Sequence, residues 1–196
     1  MEFPLVTAFL IGLFSTVHCL GMCGGIMGAL TFSLPQDTRE RPARLAGFLL
    51  AYNVGRIGSY ALAGALVGTA GGTLYRALPD GGHLFLQALA ASLMIGIGLY
   101  LAGWFPRFAS IERLGIPLWR RLEPIGRRFL PVRHPGLALV YGAIWGWLPC
   151  GLVYSALLLT VTAGGPAEGA LFMAAFGAGT LPAVLGAGML TRQLHR

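Results

Sequence analysis

The chain has 196 residues, 56% of them hydrophobic and only 11% charged, with a mean hydropathy of +0.71 and a formal net charge of +7. That balance lies outside the range of soluble globular domains and places the chain in a lipid bilayer. All 14 basic residues are arginine, and most of them sit between apolar runs, so membrane topology accounts for the charge and no nucleic-acid partner is needed.

Five runs reach the roughly 20 residues that a helix needs to cross the hydrocarbon core. They extend from about Leu5 to Leu34, Leu45 to Leu74, Leu84 to Phe105, Gly136 to Thr160 and Ala167 to Leu190. The expected fold is an all-α polytopic membrane protein, one transmembrane domain over residues 1–196. Arginines follow spans one, three and five, whereas the loop after span two holds only Arg76 and the loop after span four holds none. The positive-inside rule then puts the N-terminus outside and the Arg-rich loops in the cytoplasm. Glu2 stands where a signal peptide would carry basic residues, so the first span is expected to remain in the protein.

Span one contains TVHCLGMCGGIMG, Thr16 to Gly28, which gathers His18, Cys19, Met22, Cys23 and Met27 in ten residues. On a helix, Cys19, Cys23 and Met27 form one stripe, with Met22 beside Cys19 and His18 one turn before Met22. Cys, Met and a single His are ordinary buried residues taken one at a time. Together they offer thiolate, thioether and imidazole, the ligands that select copper(I), and a pair of thiols also suits a disulfide relay. Gly21, Gly24, Gly25 and Gly28 predict either close helix packing or a helix broken near the midplane.

Span two places Asn53 and Arg56 deep in apolar sequence. Arg56 lies eleven residues past Leu45, about 16 Å along a helix, too far for its side chain to reach the cytoplasmic surface easily. It is therefore expected to face the protein interior and find a partner. None of the seven acidic residues sits well within a span, which leaves helix-end carbonyls, a water-filled cavity, an anion or a cysteine thiolate. Gly64, Gly68 and Gly72 read as a packing stripe. Between spans three and four, residues 106–135 mix arginine with Ile111, Leu114, Leu118, Trp119, Leu122, Ile125 and Phe129, the pattern of amphipathic helices on the cytoplasmic membrane surface, with His134 at its end.

Span four holds the third cysteine, Cys150, between Pro149 and Gly151, and a proline there predicts a distorted helix at the thiol. Span five carries Gly177, Gly179, Thr180 and Pro182, again a breakable helix. Laying Met22-Cys23-Gly24 over Pro149-Cys150-Gly151 shifts the numbering by 127 and carries Asn53 onto Thr180. With spans one and four running oppositely, the expected architecture is a three-plus-three inverted repeat, a six-helix bundle. Repeat one is residues 1–105, repeat two 136–196, and a sixth span is expected after Arg196.

HCLGMCGG in span one, YNVGR in span two, WLPCG in span four and FGAGTLP in span five resemble the bacterial family labelled sulfite exporter TauE/SafE or UreH-like transmembrane domain, which is related to the CcdA/DsbD transmembrane thiol carriers. The resemblance covers nearly the whole chain. Its CcdA/DsbD side implies six helices in the bacterial inner membrane and a redox pair, Cys23 and Cys150 by position, that carries electrons from cytoplasmic thioredoxin to periplasmic acceptors. Those carriers place proline around both cysteines, whereas Cys23 stands between Met22 and Gly24, and His18, Cys19, Met22 and Met27 are additions. The resemblance also brings in relatives that handle nickel for urease or assist copper-containing respiratory oxidases.

Two functions follow. The leading expectation is a transporter or membrane metallochaperone for copper(I), with Cys19, Cys23 and Cys150 as thiolate ligands, Met22, Met27 and His18 as weaker ones, and a copper chaperone or oxidase-assembly protein as partner. The alternative is a thiol-disulfide electron carrier using Cys23 and Cys150, with Arg56 near the thiolate and a thioredoxin-like partner. No hydrolytic constellation is visible, since no carboxylate lies near any histidine in the spans.

Overall fold

A computed structural model describes residues 2–77, 132–148, 150–161 and 164–193, together with isolated positions 84, 88, 91, 92, 95, 117, 120, 121, 123 and 124. Most of the third span and of the basic loop lies outside the described residues, as do Pro149 and the side chains of His18, Met22 and Cys23. The described elements are all helices: α1 (Glu2–Phe14), α2 (Thr16–Ser33), α3 (Gln36–Glu40), α4 (Pro42–Ala77), α5 (Pro135–Trp145), α6 (Gly151–Thr160), α7 (Pro166–Gly179) and α8 (Leu181–Gln193). Two stretches, Pro42–Leu74 and Pro166–Thr191, are long and apolar enough to cross a membrane, and Leu5–Phe14, Gly24–Ser33, Pro135–Trp145 and Gly151–Thr160 are shorter apolar helices.

α4 is continuous over 36 residues, about 54 Å, which exceeds the hydrocarbon thickness. Its faces are sharply divided. Leu50, Val54, Leu62 and Leu66 are exposed at multiples of four residues, a surface suited to lipid, while Leu45, Leu49, Tyr52, Asn53, Arg56 and Ser59 are buried.

Three of the expected breaks are present, one of them at a different place. The first span is interrupted at Ser15, not at its glycines, and α2 stays helical through Gly21–Gly28. Ser15 Oγ donates to the Ile11 carbonyl at 2.6 Å and Thr16 Oγ1 to the Leu13 carbonyl, so two hydroxyls take up carbonyls in the last turn of α1. Such back-bonding bends helices. In the fourth span α5 ends at Trp145 and α6 begins only at Gly151, with Cys150 in extended conformation before it (φ −129°, ψ 134°). In the fifth, α7 stops at Gly179 and α8 resumes at Leu181. Pro182 has no amide to donate back to Ala178, and Thr180 bonds into the preceding turn instead.

The chain divides into two compact units. The first comprises Met1–Ser59, Arg121–Trp147 and Ala175–Arg196. Its core joins α2, α4, α5 and α8 through Met27, Leu30, Leu45, Phe48, Leu49, Tyr52, Ala138, Tyr141, Val184 and Ala187, and Tyr141 stacks at a tilt between Tyr52 and Trp145. His134 caps α5, its Nδ1 accepting from the Leu137 amide at 3.3 Å. The second unit comprises Tyr60–Arg120 and Leu148–Ala174. There the predicted glycine stripe of α4 is a packing seam: a β-carbon at Gly64 would collide with the carbonyl of Gly169, one at Gly68 with that of Gly165, and one at Gly71 with that of Val161. Gly72 is looser, 3.4 Å from the Gly164 oxygen.

Candidate functional site

The polar centre of the first unit is built by one stretch of α4, Asn53 to Ser59. Arg56 is 2% exposed, as its depth in the span predicts, and Nη2 donates to Thr180 Oγ1 at 2.5 Å. Thr180, itself 1% exposed, passes its own proton to the Gly177 carbonyl at 2.7 Å. A hydroxyl has one proton and two lone pairs, so this one hydroxyl serves both bonds. The partner of Arg56 is thus a hydroxyl at the α7–α8 break, a group that the sequence did not mark as its acceptor. Three residues on, Ser59 Oγ donates to the Ala143 carbonyl at 2.7 Å, in the last turn of α5. One turn of an unbroken helix therefore ties down the interrupted ends of two others. Ser59 was not singled out in sequence, although a hydroxyl one turn from a buried arginine is a visible signal.

Asn53, 1% exposed, donates through Nδ2 to Leu49 O at 2.8 Å, and its Oδ1 has no hydrogen-bond partner among the described residues. A buried acceptor in that state is uncommon. Met27 is completely buried in the apolar core, and Pro182 is exposed at the start of α8.

Cys19 and Cys150 are half-buried thiols. Cys19 sits in the first turn of α2, its amide donating to Ser15 O at 2.9 Å. Cys23 lies one turn later on the same helix, which packs against α8. Cys150 belongs to the second unit, where its carbonyl accepts from the Tyr154 amide at 3.1 Å and begins α6. Among the described residues no three His, Cys, Asp or Glu side chains gather as a metal site. A cavity of about 620 Å³ in the second unit is lined by Gly68, Thr69, Gly72, Gly164, Gly165, Pro166 and Glu168, none of them a residue that the sequence singled out as a site.

The first unit also contains one contact pattern twice. A β-carbon at Gly12 would strike the carbonyl of Phe176, and one at Gly179 would strike the carbonyl of Phe9 and lie 2.9 Å from the Leu13 amide. Likewise, a β-carbon at Gly142 would strike the carbonyl of Tyr52, and one at Gly55 would strike that of Leu139 and lie 2.9 Å from the Ala143 amide. Gly12 and Gly142, Phe9 and Leu139, Leu13 and Ala143 stand 130 residues apart. Tyr52 and Phe176, Gly55 and Gly179 stand 124 apart, the interval that also separates Arg56 from Thr180. These intervals, 130 and 124, differ from the 127 that aligns Cys23 with Cys150; at 124, Arg56 falls on Thr180 and Asn53 on Gly177.

Compared with known proteins, residues 7–196 match the model of a family described as the cytochrome c biogenesis protein transmembrane region. No curated protein and no solved structure matches the chain.

Proposed function

Since the chain belongs to the family of cytochrome c biogenesis transmembrane regions, we propose that it is a membrane thiol-disulfide carrier in which Cys23 and Cys150 form the redox pair. The match covers nearly the whole chain and supports the CcdA/DsbD side of the resemblance, and with it a multi-pass membrane protein. The observation that carries the proposal is this match. Cys150 adds to it, as a thiol at an interruption between two helices, where backbone can shift without unwinding a continuous span.

In the carrier, a dithiol of a thioredoxin-like protein attacks the Cys23–Cys150 bond. One donor sulfur joins one of the two cysteines, the other cysteine leaves as thiolate, and the donor's second thiol then releases the reduced pair. Two electrons and two protons have entered. The reduced pair repeats the exchange against an acceptor disulfide and returns to the oxidised state. Arg56, in contact with the α7–α8 break, holds the first unit's broken helix in place. The duplicated glycine contacts of that unit support a three-plus-three inverted repeat, with orientation in the bacterial inner membrane set by the arginine loops.

Copper(I) handling has less behind it, because Met27 is enclosed in the core and the family match speaks for thiol chemistry. The two are separated by thiol state in native membranes. Membranes are quenched in acid and tagged with a heavy maleimide, with and without reduction and after copper chelation. A Cys23–Cys150 bond that follows thioredoxin activity is the expected result. Three thiols that become reactive only when copper(I) is stripped would overturn the carrier.

A further inference from the structure

The described glycines differ in what surrounds them. Those of the helix seams are crowded, and a β-carbon at Gly12, Gly55, Gly64, Gly142, Gly169 or Gly179 would run into backbone. Those beside the cysteines are not: a β-carbon at Gly21, Gly24 or Gly25, like one at Gly47, Gly58 or Gly186, meets nothing within 4 Å among the described residues. Close packing among the described residues does not account for these three. What they share is a cost to the helix, about fivefold per residue in the helical equilibrium relative to alanine. They weaken α2 at Cys23, and no described residue stands against a change of shape in that turn.

Cys19 and Cys23 are four residues apart on α2, on one face. In a regular helix the β-carbons of such a pair lie about 5–6 Å apart, against roughly 3.5–4.5 Å in a disulfide. The bond is therefore closed to an ordinary helix and open to one that loosens at Gly21, between the two cysteines. Cys19 is half-buried and carries its thiol.

We infer that Cys19 is a third redox-active thiol, which takes Cys23 from Cys150 by forming a Cys19–Cys23 disulfide as the glycine-rich turn of α2 unwinds. This rests on the carrier reading above. The Cys19 sulfur attacks the Cys23 sulfur, the Cys19–Cys23 bond forms, and the Cys23–Cys150 bond breaks. Cys150 leaves with the bonding pair and takes up the proton that Cys19 gives away. No electron enters or leaves. The oxidised state moves from a bond between distant segments to one within a single helix, and Cys150 becomes a thiol ready for its next partner.

The test uses the full-length protein in native membranes, exposed to a membrane-permeant oxidant, quenched in acid, alkylated and read by peptide mass spectrometry without reduction. In Cys150→Ser, Cys19 and Cys23 should be found joined in most molecules. Gly21→Ala/Gly25→Ala adds two methyls that meet no described residue within 4 Å and should fold normally, yet form that bond about 25-fold more slowly. An unchanged rate would overturn the unwinding step. If Cys150→Ser keeps Cys19 and Cys23 as two thiols while Cys19→Ser still links Cys23 to Cys150, the third-thiol role falls and the carrier stands. If the wild type links Cys23 to Cys150 under no oxidising condition, both fall together.

Discussion

The guanidinium of Arg56 donates to the hydroxyl of Thr180 across 124 residues of chain, the same interval that relates Gly55 to Gly179 and Tyr52 to Phe176 in the two glycine contacts. The two residues stand at that interval, and they meet each other. Removing the acceptor leaves a buried cation short of a bond, which costs about 1–3 kcal/mol. Thr180→Val should therefore lower the thermal midpoint in detergent by about 2–12 °C, whereas Thr180→Ser should stay within about 2 °C of the wild type. A valine variant as stable as the wild type would show that this bond contributes nothing.

Crowded and uncrowded glycines should respond oppositely to one methyl group. Gly142→Ala drives a β-carbon into the Tyr52 carbonyl, and backbone cannot give way as a side-chain tip can. Overpacking of this kind costs about 1–3 kcal/mol or more. Gly47→Ala meets nothing within 4 Å among the described residues and improves helix propensity. Fluorescence-detected size exclusion of the two variants should give a depleted monodisperse peak for Gly142→Ala and an undiminished one for Gly47→Ala.

Asn53 offers a stability gain. Its Nδ2 bonds to a carbonyl of its own helix, and Oδ1 is buried with no partner among the described residues. Replacing both polar atoms with an apolar side chain of similar size is nearly neutral or favourable. Asn53→Leu should hold or raise the thermal midpoint, by up to about 1 kcal/mol of stability. A clear drop would mean that Oδ1 has a bound water or ligand for company.

At the start of α5, His134 accepts the Leu137 amide. His134→Ala should cost about 1 kcal/mol, and His134→Asn, which keeps an acceptor at the cap, should recover most of it. Hydrogen exchange at the first turn of α5 reports this directly: faster exchange in the alanine variant alone is the expected pattern.

Where the sequence read correctly, a single residue carried the physical reason. Arg56 is buried because a cation that deep in an apolar span has nowhere else to go. The fifth span breaks where Pro182 withholds an amide, and the fourth is irregular before Cys150. The errors came from features that sequence spacing does not encode. Four glycines in span one left close packing and a break both open; the helix runs through them, and the interruption comes from hydroxyls at Ser15 and Thr16 binding back onto α1. The partner of Arg56 was hidden because a single shift of 127 fits neither contact set; their shifts of 130 and 124 differ by more than one helical turn. A cysteine alignment cannot see that difference. The third span and most of the basic loop lie outside the described residues.

The hydrogen that each seam glycine carries in place of a β-carbon points at a carbonyl oxygen across the interface, reciprocally at Gly64 and Gly169. These are Cα–H···O contacts, made by main chain on both sides. Lipid tails, with no acceptor to offer, cannot compete for them. Helix pairing in this protein is therefore written in the absence of side chains at a handful of positions, which leaves the residues on either side free to change with the membrane they face.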